Sequence, residues 1–293
     1  MGQSDGMKMS RRQAIAALGA LAVTAKAGLG VAQESKGGAK IALQLYTMRD
    51  PAKKDLADTL KKCREMGWEY VQWSGMPSLP ADKIREALDT AGLKAIASHC
   101  GVEAFETDFD KEVAFWKKVG AIGVGPGGMM GDCKDTLEAW LRGAKRLDAL
   151  GAKLREVGLF LTYHNHAGEF ETFPDDPRAK LDILMEATDP KNLFAELDLA
   201  WVKVGKADPA AYLRKYKGRV PQIHAKDVAF SKSGKHFHFT PLGQGELDWD
   251  DIFAAGKEAG VEWWVYEQDN GRGSPFDFAQ ESYEFLSKRI ANL

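Results

Sequence analysis

The chain has little cysteine: Cys63, Cys100 and Cys133 are the only three among 293 residues. They lie far apart with no CxxC pair, and an odd count is no disulfide framework. They read as buried or idle thiols. No apolar run reaches the roughly 18 residues that cross a bilayer. Basic charge is not in excess either, since 40 Lys and Arg face 42 Asp and Glu for a formal net charge of −2. Lys8, Arg11, Arg12 and Lys26 gather in the first 32 positions against Asp5 alone, so the remainder is more acidic than the whole. Such a body offers no electrostatic footprint for nucleic acid or for an anionic membrane.

What is present is ordinary for a soluble globular protein, with 44% hydrophobic and 28% charged residues. The first 32 residues read as a signal peptide. Arg11-Arg12 follows Ser10, an Ala-rich apolar stretch covers 14–23, and Gly30-Val31-Ala32 puts small residues at a cleavage position. The arginine pair resembles a twin-arginine signal, although Ala14 stands where a bulky apolar residue is usual. Export to a periplasm is expected, with no stable membrane insertion after processing. Residues 33–39 read as a linker into a single domain spanning 40–293.

From residue 40 onward, short apolar runs alternate with longer amphipathic ones. Strands are expected at 41–46, 70–73, 94–98, 121–125, 159–164, 193–198, 220–224 and 263–267. Helices are expected near 53–66, 80–91, 109–119, 134–157, 177–187, 208–216, 249–259 and 276–290, where apolar residues recur every three or four positions. Gly67, Gly92, Gly158 and Gly260 each close a helix ahead of a strand. Eight strand–helix units without a composition break predict an α/β fold, a closed (β/α)8 TIM barrel. The alternative, an open doubly wound sheet, lacks its phosphate turn, because Leu45-Tyr46-Thr47-Met48-Arg49 follows the first strand.

Barrel active sites lie at the carboxyl ends of the strands. Those positions hold Tyr46, Trp73, His99, His164, His166, Asp198, His224, Lys226 and Glu267, four of the six histidines of the chain among them. Residues two apart on a strand share a face. His164 therefore goes with Thr162 and His166, and His224 with Gln222 and Lys226. If these faces point inward, carboxylates and imidazoles converge, and buried charge of this kind needs a counter-charge. A divalent cation provides one, and mixed nitrogen and oxygen ligands suit Mn, Mg, Zn, Co or Fe. His236 and His238 have ligand-like spacing but lie in a polar Ser/Lys/Gly stretch and read as loop histidines. Gly243-Gln244-Gly245 reads as a turn.

Several segments together carry a resemblance. They are Leu43-Gln44-Leu45-Tyr46-Thr47-Met48-Arg49-Asp50, Tyr163-His164-Asn165-His166-Ala167-Gly168-Glu169-Phe170, Leu197-Asp198-Leu199-Ala200-Trp201, His224-Ala225-Lys226-Asp227, Pro241-Leu242-Gly243-Gln244-Gly245 and Tyr266-Glu267. The chain over 40–293 resembles the xylose-isomerase-like barrel superfamily of sugar phosphate isomerases and epimerases, which includes inosose dehydratases and endonuclease-IV-type enzymes. The resemblance implies one divalent metal, of the Mn, Mg, Zn or Co kind, held by a carboxylate on the fifth strand and by Asp198, His224 and Glu267 on the next three. His164 stands where many members carry the first carboxylate. The fourth ligand is then His164, the assignment adopted here, or His166, or Glu169. Trp201 occupies a position where nuclease members carry histidine, which argues against DNA repair.

The expected chemistry is isomerisation or epimerisation of a sugar through α-proton abstraction and an enediolate. His166 is the candidate base, Glu169 a second one, and Lys226 an oxyanion stabiliser or acid. Tyr46, Trp73, His99 and Trp201 are expected to form the walls against a small-molecule sugar. Export and the lack of an arginine cluster favour an unphosphorylated one. Two further readings are a dehydratase or lyase acting on a 3-keto sugar or cyclitol by β-elimination, and a barrel that binds a sugar or metal without turnover. A homo-oligomer is compatible with the sequence.

Overall fold

The computed structural model describes residues 38–291. The signal-peptide reading of 1–32 and most of the 33–39 linker lie outside the described residues. The remainder is built from twelve strands, eight of which close into a parallel barrel. The barrel strands are β1 (Lys40–Gln44), β2 (Tyr70–Trp73), β3 (Lys94–His99), β4 (Gly123–Gly125), β5 (Phe160–His164), β8 (Leu193–Asp198), β9 (Gln222–Ala225) and β12 (Trp263–Tyr266). Two hairpins, β6 (Thr172–Phe173) with β7 (Asp176–Ala179) and β10 (Asp227–Phe230) with β11 (Phe237–Thr240), rise from the loops after β5 and β9. All eight expected strands are present. The first is shorter than expected, because the chain turns into a 3-10 helix at Leu45–Met48 and carries Tyr46 with it.

The helices form where the apolar spacing predicts them, with differences at their ends. The region near 53–66 is two helices, Arg49–Lys54 and Leu56–Glu65, separated by Asp55, which caps the second through Asp58 N. Residues 177–179 belong to β7, so the helix after it starts only at Lys180. Short helices at Val102–Thr107 and Leu199–Val204 were not anticipated, since neither is long enough to show a period. His238 lies on β11 rather than in a loop. Among the described residues no helix is long and apolar enough to cross a membrane.

The main core fills the space between barrel and helices, with Leu43, Val71, Val124, Leu161, Tyr163, Leu197, Ile223, Trp264 and Tyr266 facing outward from the strands. Inside the barrel the layers differ. Ala42, Ile96, Trp263 and Val265 form a small apolar cluster, and Tyr70 stands edge-on to Trp263. Gln44, Gln72, Glu196 and Gln222, all fully buried, form a polar layer joined by hydrogen bonds. Histidines and carboxylates lie beyond it, at the carboxyl ends.

Two local devices fix the frame around that mouth. Asp227 opens β10 and its carboxylate accepts from the backbone N–H of Val228, Gly243 and Gly245 and from Trp249 Nε1 at 2.8 Å. It thereby organises the turn that the sequence places at 243–245. Gly151, in the middle of the helix Leu137–Glu156, lets that helix approach the chain leading into β8. A Cβ there would come within 2.0 Å of the Asn192 carbonyl oxygen. Glycine inside a helix normally costs about 1 kcal/mol against alanine, but here the backbone contact outweighs that preference. Gly151→Ala is expected to destabilise the fold by about 1–3 kcal/mol, whereas Gly168→Ala, which meets open space, should be close to neutral. Urea midpoints of the two variants check this.

Candidate metal centre

The alternation of β-strands aims the side chains that form the site. His164 ends β5, Asp198 ends β8, His224 is the third residue of β9 and Glu267 follows β12, so four neighbouring elements each send one group into the mouth. One ligand atom from each lies within 4.8 Å of all the others, and all four residues are buried. Asp198 has two roles. Its Oδ1 accepts from Trp201 N at 3.0 Å and starts the helix Leu199–Val204, while Oδ2 faces His164 Nε2 at 3.4 Å. Asn165 joins the ends of β5 and β8 by accepting from Asp198 N at 3.1 Å.

His224 is gripped from both sides. Its Nδ1 donates to Glu267 Oε2 at 2.9 Å and its Nε2 donates to Gln72 Oε1 at 2.7 Å, with Glu196 Oε1 at 3.2 Å. Burial disfavours its charge, yet the carboxylates of Glu196 and Glu267 outweigh burial and hold the imidazole well above its usual pKa. His164 behaves oppositely. Burial and the charge of His224 push it down to about 4, so it is neutral at pH 7. Its Nδ1 is buried without a hydrogen-bond partner. Asp198 and Glu267 are both held below the carboxylate range despite burial, with Lys226 the strongest opposing charge on each.

Glu196, two residues before Asp198 on the same face, was missed by reading strand ends alone. It is fully buried and accepts from Gln72 Nε2 at 2.7 Å, Gln222 Nε2 at 2.6 Å and His99 Nε2 at 2.7 Å. His99 is thus both a wall of the pocket and a donor to this carboxylate. Asp269, two residues past Glu267 in the bend after β12, was also missed because it lies beyond the strand. It lines the mouth, and burial raises its pKa in spite of Lys226. Arg49 was also missed; it stacks on Tyr46 at 4.2 Å and donates to the Asp269 carbonyl at 2.6 Å.

The other anticipated residues are distributed unevenly. A cavity of about 400 Å³ is lined by Tyr46, Arg49, Ser74, His99, His164, His166, Glu267 and Asp269, with Gly127 and Asn270. Tyr46, His99 and His166 are therefore where the sequence puts them, and His166 is exposed within the mouth. Trp201 stands beside it, ring centroids 5.3 Å apart. Trp73 is not a wall. Its neighbour Gln72 takes the inward position, and Trp73 is buried in the outer core. Glu169 is turned to local structure, accepting from Tyr163 Oη and from His166 N, both at 2.9 Å. Lys226 is fully buried, with Nζ 2.8 Å from Asp198, 2.7 Å from Glu267 and 3.1 Å from Asp269. Burial would release its proton, but those three carboxylates hold it charged. In this arrangement it is the internal counter-ion of those carboxylates.

The residues present suit a divalent cation. Two imidazoles and two carboxylates converge, the His164 Nδ1 orphan shows a ring whose polar needs the protein leaves unmet, and Gln72 and Glu196 orient His224 from behind as partners of metal-bound histidines do. The donor set is one that Zn, Mn, Mg or Co accepts.

Comparison with known proteins agrees with the fold. The family model described as xylose isomerase-like TIM barrel matches residues 60–289. An inosose dehydratase from Lacticaseibacillus casei is 30% identical over 167 residues, which is 52% of this chain and 55% of that protein. The chain thus spans about half the length of the curated relatives it matches. A sugar phosphate isomerase/epimerase from Parabacteroides distasonis ATCC 8503 superposes with a TM-score of 0.72 at 21% identity, covering 86% of this chain and 98% of the other. The IOLI protein with a bound zinc atom gives 0.65 at 15% identity, covering 86% and 98%. With that family model matched over most of its length and eight parallel strands closed into a barrel, the chain belongs to the xylose isomerase-like TIM barrel family.

Proposed function

We propose that this protein is a divalent-metal-dependent isomerase or epimerase of a small sugar. The observation that carries the proposal is the convergence of His164, Asp198, His224 and Glu267 at the base of the 400 Å³ mouth. A cation held by these four residues would polarise a sugar carbonyl and its neighbouring hydroxyl as a Lewis acid. The zinc bound by the IOLI protein is consistent with such a site.

The residues of the chain do the remainder. His166, exposed in the mouth and 4.9 Å ring to ring from His164, takes the proton α to the carbonyl. The electron pair left behind spreads onto the carbonyl oxygen. Asp269, which lines the same mouth and whose pKa burial raises, returns a proton to carbon. Lys226 keeps Asp198 and Glu267 ionised and in place. Glu169 acts through His166 by fixing its backbone. Tyr46 and Trp201 present aromatic faces to the sugar. The paired arginines and apolar stretch near the N-terminus support an exported, periplasmic enzyme, and cell fractionation tests that.

The named inosose dehydratases favour a second reading, β-elimination from a cyclitol or 3-keto sugar. The first proton abstraction is the same. The carbanion pair then forms a C=C bond, and the hydroxyl on the β carbon leaves as water with the proton of Asp269.

The full chain is expected to bind a divalent metal stoichiometrically, and His224→Ala and Glu267→Ala to lose it, as read by elemental analysis. A wild-type protein that takes up neither Mn nor Zn would sink the proposal. Because Glu196 and Glu267 raise the pKa of His224 well above its ordinary value, metal binding must release a proton from it, so affinity is expected to fall as pH drops through 7 toward 5. Calorimetric titrations across that range read the slope. His166→Ala is expected to keep the metal and lose α-proton exchange by about 10²–10⁴-fold in deuterated water, tested on ketoses and inososes. A mass-neutral product marks isomerisation, and a new ultraviolet-absorbing double bond marks elimination.

A further inference from the structure

A second and larger cavity, about 720 Å³, adjoins the mouth. Asn270 lines both, and Phe239 stands between them, with Lys226 Nζ 5.1 Å from its ring centroid and Trp201 5.2 Å away. One side of the cavity is the β10–β11 hairpin, which offers Phe237 and Phe239. The other is the loop after β12, where Gly271 comes close to Phe278. A Cβ on Gly271 would meet that ring at 2.5 Å. The lining combines the rings of Phe237, Phe239 and Phe278 and the backbone of Gly271 with polar side chains, among them His238, Gln268 and Arg272, a mixture that suits an aromatic group bearing an oxygen. Phe237 is 40% exposed, an apolar ring left in water at the slot's edge. Two polar groups in the lining are unmatched. Thr240 Oγ1 is buried with no hydrogen-bond partner, and Arg272 has no acidic partner among the described residues.

We propose that this slot is a substituent subsite, so that the substrate is a sugar bearing a planar aromatic group whose oxygen, phenolic or carboxylate, faces Arg272. The inference deepens the sugar reading of the first pocket and rests on it. The sugar occupies the mouth above His164 and Glu267, its substituent passes Asn270, and the ring inserts between Phe237 and Phe278. Ring stacking and the guanidinium make the aromatic anion the favoured occupant over an alkyl chain or a second sugar.

Calorimetry on the full chain with methyl, 4-nitrophenyl and 4-carboxyphenyl β-D-glucopyranosides tests this. Both aryl glycosides are expected to bind at least about tenfold more tightly than the methyl glycoside, a difference of about 1.4 kcal/mol. Phe237→Ala should remove most of that preference, and Arg272→Ala should weaken the carboxyphenyl compound selectively. Neither should change affinity for the methyl glycoside. Both side chains are exposed, so the variants should fold. Equal affinity for aryl and methyl glycosides, no binding of the aryl compounds, or a preference that survives both substitutions overturns the subsite. Metal content and methyl glycoside binding, read on the same samples, judge the sugar reading separately. If both are intact and aryl preference is absent, only the subsite fails.

Discussion

Three carboxylates, Glu196, Asp198 and Glu267, are buried inside one barrel, and the arrangement of the mouth follows from compensating them. Each would cost several kcal/mol if left alone in an apolar interior. The chain answers with amide and imidazole donors around Glu196 and with the Lys226 ammonium between Asp198 and Glu267. His224, between the two groups, faces acceptors on both of its nitrogens. The polar layer of glutamines is thus less a specificity device than the floor on which the charged layer stands.

That compensation is asymmetric, and the asymmetry is useful. Glu196 has all its donors from the protein, so it can stay ionised with the site in any state. Asp198 and Glu267 share Lys226 and one side of the His224 ring, and the nitrogen of His164 that lies closest to them is neutral and 3.4 Å from Asp198. The lower carboxylate is finished structure, whereas the upper two carry negative charge that an additional cation can still satisfy. The same side-chain types, one layer apart, therefore do different work because their neighbours differ.

Most of the barrel was legible because strand runs such as 193–198 and 220–224 are apolar, short and bounded by turn residues. The four converging groups were legible because they end or follow those strands. Reading only the last residue of each strand overlooked Glu196, although it obeys the two-residue alternation from Asp198, and Asp269, which lies in the bend beyond β12. Trp73 was misplaced by one position. A register shift between Val71 and Gln72 lies in that short strand, and the glutamine rather than the tryptophan turns inward. The role of Glu169 was invisible because it depends on Tyr163, which faces the outer core and carries no signal of its own in the pattern. The β10–β11 hairpin was hidden for another reason: four-residue strands around a stretch of Ser, Lys and Gly show too little alternation to separate from a loop, while β6 has only two residues and β7 runs into the following helix.

Asp227 has a consequence for how such a barrel can change. One carboxylate gathers the start of β10, the glycine turn and Trp249 at the root of the hairpin, while residues 231–238 at its tip are exposed. The root holds its shape through hydrogen bonds that do not involve the tip. Length and composition of the tip can accordingly drift through mutation without disturbing the strands beneath it. Descendants of one barrel can then acquire different appetites while inheriting the same charged floor.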